Sequence, residues 1–228
     1  MSHHAGHGSE DLVSNNKEYF DKHVHVYDTP DAIRMAEQQA LAIRAACKFD
    51  KETTVLDFAG GHGQIARDLI RDVKSIVGVD ISEEAIKKYN ELSIAAGYSP
   101  DVLKGICKEL KGEEGELGGA KFDLVICCMA YHHFPDCNEM TRILKSHLKP
   151  NGGLCVIDKL KPEAKEADSV SFPEDVKKMT TLHLFGFVEE EIRAIFEQAG
   201  LKDISFDFGF DGQWGEHKFK AFIAKGIN

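Results

Sequence analysis

Residues 53–66, TTVLDFAGGHGQIA, limit the fold more than any other stretch of the chain. Val55, Leu56 and Phe58 read as a buried strand with Asp57 at its tip. Gly60, Gly61 and Gly63 follow at once. Lacking a Cβ, they let the chain turn sharply and bring main-chain N–H groups against a ligand. A helix starting near His62 points its positive end at the same place. Strand, glycine loop and helix in this order make a nucleotide-type pocket.

The glycines alone do not say which nucleotide. GHGQIA, residues 61–66, also satisfies the dinucleotide pattern G-x-G-x-x-G/A, and Asp80 ends a second apolar run, SIVGVD, where a carboxylate can meet ribose hydroxyls. Asp57 separates the readings. A carboxylate beside a pyrophosphate is repelled, whereas one beside the ammonium and sulfonium of S-adenosylmethionine is attracted.

The ordered set VLDFAGGHG, VGVDIS, FDLVICCMAYHHFPD and LKPNGGLCVID resembles the class I S-adenosylmethionine-dependent methyltransferases of the small-molecule kind, over residues 19–226. The resemblance implies a Rossmann-like, doubly wound α/β fold: seven strands, mostly parallel, with an antiparallel last strand and a small helical cap. It implies S-adenosyl-L-methionine as cofactor, held by Tyr19 and Tyr27 of a lid, by Asp57, Ala59, Gly60, Gly61 and Gly63, by Asp80 and Ile81, by Ile106 and Cys107, and by Cys128 and Met129. Two positions depart from the family. Ala59 replaces the usual first glycine, a mild change provided that its φ is negative. Ile106 replaces an acid that reads the adenine amino group, which leaves adenine to backbone and packing.

The rest of the chain fits this frame. Residues 1–16 are polar and read as a disordered tail, residues 17–50 as lid and helix, 51–160 as the donor-binding core, 161–186 as a cap, and 187–228 as a helix and hairpin completing the core. In the lid, Tyr19, Phe20 and Tyr27 either cover the sulfonium, whose charge an aromatic face attracts, or anchor the segment to the core. Pro30 and Asp31 open a helix with Ile33, Ala36, Ala40, Ile43 and Cys47 on one face. Ser82 caps another, with Ile86, Tyr89 and Ile94 inward. Strands are expected over 75–80, 101–107, 122–128 and 153–158, then an antiparallel pair over 201–210 and 217–225. The cap contributes Met179, Leu182, Leu184 and Phe185, with Trp214 nearby, as a modest apolar cover.

A formal net charge of −10, with no cluster of Lys and Arg, argues against a general nucleic-acid binder. MAYH after the fourth strand, in place of an N/D-P-P-Y signature, argues against a nucleic-acid amine as acceptor. No apolar run reaches spanning length, so no membrane partner is expected; the expected setting is the cytoplasm, with the nucleus as the alternative. The partner is a small-molecule acceptor, and the chain is expected to be a monomer or weak homodimer. The six cysteines lack zinc-type spacing and read as buried, reduced thiols, with adjacent Cys127 and Cys128 on opposite faces; no metal is expected.

Methyl transfer requires alignment of the nucleophile, exclusion of water and removal of a proton when the acceptor is a thiol or phenol. His132 and His133 follow Met129 and Ala130, toward the acceptor. His132 is the preferred base, because relatives usually keep histidine at the first of these places; holding the loop is its alternative role. His183 is a second candidate base, and His62 packs beside the donor. Two other readings stay open: a nicotinamide-dependent oxidoreductase, although no Tyr-x-x-x-Lys pair is present, and a non-catalytic methyltransferase-like partner protein.

Overall fold

A computed structural model describes residues 6–163 and 183–228, with side chains from residue 12 onward. Strands β1 (Thr54–Phe58), β2 (Ser75–Asp80), β3 (Leu103–Cys107), β4 (Phe122–Cys128), β5 (Leu148–Lys159), β6 (Lys202–Trp214) and β7 (His217–Ile227) form one sheet in the order 3-2-1-4-5-7-6. β1 to β5 pair in parallel, and β7 runs antiparallel to both β5 and β6. This is the Rossmann-like sheet with a reversed last strand. The chain winds outward from β1 to β3 and then returns to β4, so the switch point lies between β1 and β4, where open α/β sheets bind ligands.

The helices are α1 (Gly6–Lys22), α2 (Pro30–Ala46), α3 (Gln64–Leu69), α4 (Glu83–Ala95), α5 (Cys137–Ser146) and α6 (Glu189–Gln198). Strand alternation splits the interior into two layers. Val55, Ile126, Cys155 and Ile157 pack with Ala40 and Ile43 of α2, Leu69 of α3 and Tyr89 of α4. Leu56, Val125 and Val156 pack with Leu144 of α5 and Phe196 of α6. Cys127 belongs to this second layer and Cys128 packs against the first, so the adjacent thiols do face apart.

Several sequence expectations need correction. Helix α1 begins at Gly6, inside the stretch read as a disordered tail to residue 16. Its few apolar residues hid it, but Asn16 is buried, and Asp21 accepts hydrogen bonds from Ser82 Oγ at 2.7 Å and the Glu84 N–H at 3.3 Å, docking α1 on the start of α4. Ile94 is 63% exposed, because the inner face of α4 runs through Ile86, Tyr89 and Ser93 and the next position turns outward. On α2 the buried face begins at Ala32 and not at Ile33. β5 starts at Leu148 instead of Gly153, with a register irregularity that absorbs the Pro-Asn-Gly turn. The last two strands are longer than expected, reaching Trp214 and Ile227. Of the thiols, Cys107 is exposed and Cys47 and Cys128 are half-buried. Most of the expected cap, residues 164–182 with Met179 and Leu182, lies outside the described residues.

Candidate active site

The glycine loop is built as its sequence demands, with one costly exception. Gly61 and Gly63 have φ of 54° and 79°, and a Cβ on Gly63 would lie 2.5 Å from the Tyr89 ring. Ala59, a mild replacement for glycine only at negative φ, has φ 54°, so the change is not mild. A left-handed alanine sets its Cβ against the following carbonyl, at a cost of roughly 1 kcal/mol. The strain sits where the chain must leave β1 and turn over Asp57.

Asp57 lies beneath this loop, 1% exposed, and a Cβ on Gly60 would stand 2.5 Å from its Oδ2. That oxygen has no hydrogen-bond partner among the described residues, and neither has the hydroxyl of Tyr89, which lies over Gly78, the residue opposite Asp57 in the β1–β2 register. Burial and the neighbouring Asp80 raise the Asp57 carboxyl to about 7. An orphaned buried carboxylate beside a glycine cradle is suited to a cationic ligand, and the residues fit S-adenosylmethionine on that ground.

Asp80 ends β2, 8% exposed, with Oδ2 accepting from the Gly61 N–H and Oδ1 from the Ser82 N–H, both at 2.9 Å. Burial pushes this carboxyl upward against those bonds. The two amides fix its orientation, and each oxygen keeps acceptor capacity of the kind a ribose diol uses. Ile81 follows, its carbonyl accepting from the Cys107 thiol at 3.5 Å. Cys107 lies opposite Asp80 in the register and Ile106 opposite Val79; Ile106 is partly buried against the second-layer core, so an apolar side chain stands where an acid was the family expectation.

The lid residues come together over the loop. The ring of Tyr27 lies so close to Gly61 that a Cβ there would be 2.8 Å away, and it sits 5.0 Å from the ring of His62. Phe20 stacks on Tyr27 at 6.2 Å and meets His133 edge-on at 5.6 Å, while Tyr19 stacks on His23 at 4.2 Å. Burial, then Asp80 and Tyr19, raise the Tyr27 phenol well above its ordinary value. His62 is 3% exposed, and burial with Arg67 lowers it to about 4, so it is neutral beside the loop.

At the end of β4, Cys128 is half-buried and Met129 turns the chain at φ 53°, its N–H bonded to the Ile157 carbonyl at 2.7 Å. The 3-10 turn that follows carries His132, 7% exposed, whose Nδ1 is 2.8 Å from Asp158 Oδ1 and whose N–H donates to Asp158 Oδ2 at 3.2 Å. Burial pushes the Asp158 carboxyl up, but His132 and Lys159 outweigh it and hold the group below the usual range. The His133 ring is 4.1 Å from that of His132. His183 stacks on Phe187 at 4.2 Å; burial lowers its pKa, opposed by Glu191 and Asp158.

The sequence reading missed Asp158, seen only as the end of a strand. Its signal was positional: in parallel neighbours β4 and β5, pairing Cys128 with Ile157 sets Asp158 beside the residues that follow Cys128. No helix among the described residues is long and apolar enough to cross a membrane.

An uncharacterised methyltransferase of Schizosaccharomyces pombe is 34% identical over 154 residues, covering 66% of this chain and 54% of its own length. A ubiquinone biosynthesis O-methyltransferase of Xanthomonas axonopodis is 26% identical over 152 residues, covering 65% of this chain and 62% of its own. The chain thus spans 54% to 62% of the length of these relatives. Two solved structures share the fold. Magnesium protoporphyrin IX methyltransferase from Synechocystis, with bound SAH, has a TM-score of 0.67 at 18% identity, covering 93% of this chain and 95% of its own. The YcgJ protein of Bacillus subtilis has a TM-score of 0.64 at 17% identity, covering 84% and 98%. The model of the methyltransferase domain matches residues 23–205. The match spans the glycine loop and both strands beside it, and the chain belongs to the methyltransferase domain family.

Proposed function

We propose that this chain is an S-adenosylmethionine-dependent methyltransferase that methylates an oxygen or sulfur nucleophile of a small, partly apolar molecule, with His132 as the base. The donor supplies a methyl group already activated on a sulfonium. What the protein adds is alignment, exclusion of water and a place for the acceptor's proton. The observation that carries the reading is the His132–Asp158 pair at the ends of β4 and β5. With Nδ1–H donating to Asp158, the imidazole lone pair sits on Nε2, and Asp158 stabilises the imidazolium formed when Nε2 takes the acceptor's proton. Phe134, partly buried against Tyr131, gives this side an apolar surface, and Phe20 meets His133 edge-on. The O-methyltransferase among the relatives supports an oxygen acceptor.

Two measurements test the reading. A panel of phenols, thiols and carboxylates is incubated with labelled donor, and turnover is expected with a phenol or thiol. His132→Ala is expected to bind donor as before while turnover falls about 10²-fold or more, the usual worth of a positioned base. Full turnover by His132→Ala at every pH, with donor bound, would remove the base assignment. Calorimetry that finds no binding of donor or demethylated product would favour the partner-protein reading, to which the strained Ala59 and the apolar Ile106 otherwise lend weight.

A further inference from the structure

Asp57 and Asp80 are buried at the ends of neighbouring strands, and they meet consecutive residues of one loop. Asp80 Oδ2 accepts from the Gly61 N–H at 2.9 Å, and a Cβ on Gly60 would stand 2.5 Å from Asp57 Oδ2. The Gly60 N–H draws the strand ends together by donating at 3.3 Å to the carbonyl of Val79, the residue before Asp80. The two acids are bonded unequally. Asp80 takes an amide on each oxygen, which favours its charged form, whereas Asp57 Oδ2 has no partner among the described residues. Two carboxylates buried side by side do not both ionise unless a cation joins them.

The groups packed around Asp57 do not supply that cation. Arg67 of α3 donates to the His62 carbonyl and to Gln64 Oε1, and its charge fails to outweigh burial and Asp80, which raise Asp57 to about 7. Burial pushes the Tyr89 phenol of α4, the Cys127 and Cys128 thiols of β4 and the Tyr27 phenol of the lid upward, so all four stay protonated, and His62 at about 4 stays neutral. We propose that the donor-free protein holds one proton on Asp57 and that the positively charged methyl donor displaces it, a step that rests on the proposed activity. The Asp57 O–H bond breaks, its electron pair stays on the carboxylate, and the proton passes to the buffer. One positive charge leaves as another enters. Donor affinity therefore rises with pH while the stability contribution of Asp57 to the donor-free chain falls.

The test is calorimetric titration of the whole chain with S-adenosylmethionine at pH 6 and pH 8, each in two buffers of different ionisation enthalpy, which counts the protons released. Asp57→Asn has no proton to give but meets the same donor, so the difference between the two chains isolates this carboxyl. A group at about 7 is about nine-tenths protonated at pH 6 and about one-tenth at pH 8. Wild type should therefore release close to one proton more than the variant at pH 6 and close to none more at pH 8, and its affinity relative to the variant should grow about tenfold between them. Difference infrared spectroscopy needs no variant: the carbonyl band of a protonated carboxylic acid should disappear when donor is added at pH 6. Donor bound at pH 6 with no proton released and no such band lost would overturn the displacement, as would equal release from Asp57→Asn. Either result leaves the proposed activity standing, whereas a chain that binds no donor at either pH removes both.

Discussion

Asp57→Asn should make the ligand-free protein more stable at alkaline pH while weakening its hold on the methyl donor. A buried carboxyl raised from 3.8 to about 7 keeps its proton in the folded chain after the unfolded chain has lost it. Its contribution is complete below pH 3.8 and is lost as pH rises to about 7. At ~1.4 kcal/mol per pH unit this comes to about 4 kcal/mol. Asparagine has nearly the same shape and nothing to titrate, so this component should vanish. Urea unfolding of both chains at pH 4 and pH 8 reads it directly: the wild-type protein should lose about 4 kcal/mol more than the variant between the two. Calorimetry with S-adenosylmethionine at pH 8 reads the other side, where the charge that costs stability meets a cation. Affinity should fall by about tenfold or more in Asp57→Asn, the scale of losing one partner of a buried charge pair. Equal pH slopes would refute the buried, raised carboxyl, and unchanged donor affinity would refute its pairing with positive charge.

Ala59→Gly relieves a left-handed alanine and should raise the unfolding free energy by roughly 0.5–1 kcal/mol in urea titration; a loss would show that the methyl packs better than the strain costs. Gly63→Ala sets a Cβ into the Tyr89 ring at φ 79°, and should cost about 1–3 kcal/mol by the same titration. If His132 is the base, as proposed, Asp158→Asn removes its charged partner, and turnover at neutral pH should fall about 10²-fold or more with donor binding kept, measured by labelled-methyl transfer against calorimetry. Asp21→Ala removes the acceptor for Ser82 Oγ and the Glu84 amide, and should speed proteolysis within α1 while the core melts within about 1 kcal/mol of wild type.

The glycine loop and the strands beside it were legible because their requirements fall on the main chain. A turn over a carboxylate needs residues without Cβ, and a parallel strand covered on both faces needs a continuous apolar run, so Gly60, Gly61, Gly63 and residues 122–128 stand out in one dimension. The strand bounds at Ser75–Asp80 and Phe122–Cys128 came out as expected for the same reason. The φ of Ala59 was left open by the sequence because it depends on how β1 leaves the sheet, which no local pattern records. Asp158 was invisible because its meaning comes from the neighbouring strand: it becomes His132's partner only once β5 is in register with β4. Helix α1 was missed for a different reason. Its order comes from docking against α4, not from an amphipathic stripe of its own.

The aromatic strap gives the two halves a common cover. Tyr27 lies on Gly61 of the donor loop, Phe20 stacks on Tyr27, and the same Phe20 ring meets His133 on the acceptor side. The strap is fastened by Asp21 on the start of α4 and by Asp28, which pairs with Lys88 and lies 3.6 Å from His62 Nε2 in the glycine loop itself. The Asp28–Lys88 pair is partly exposed and worth little against water, the Asp21 attachment is to the buried Ser82 hydroxyl, and the contacts over the site are ring faces that water does not replace. Loosening the polar fastenings would, on the proposed activity, lift Phe20 and Tyr27 together and uncover Gly61 and His133 in one motion. On the proposed activity, this couples entry of the donor to exposure of His133 and ties exclusion of water at both to a single closure.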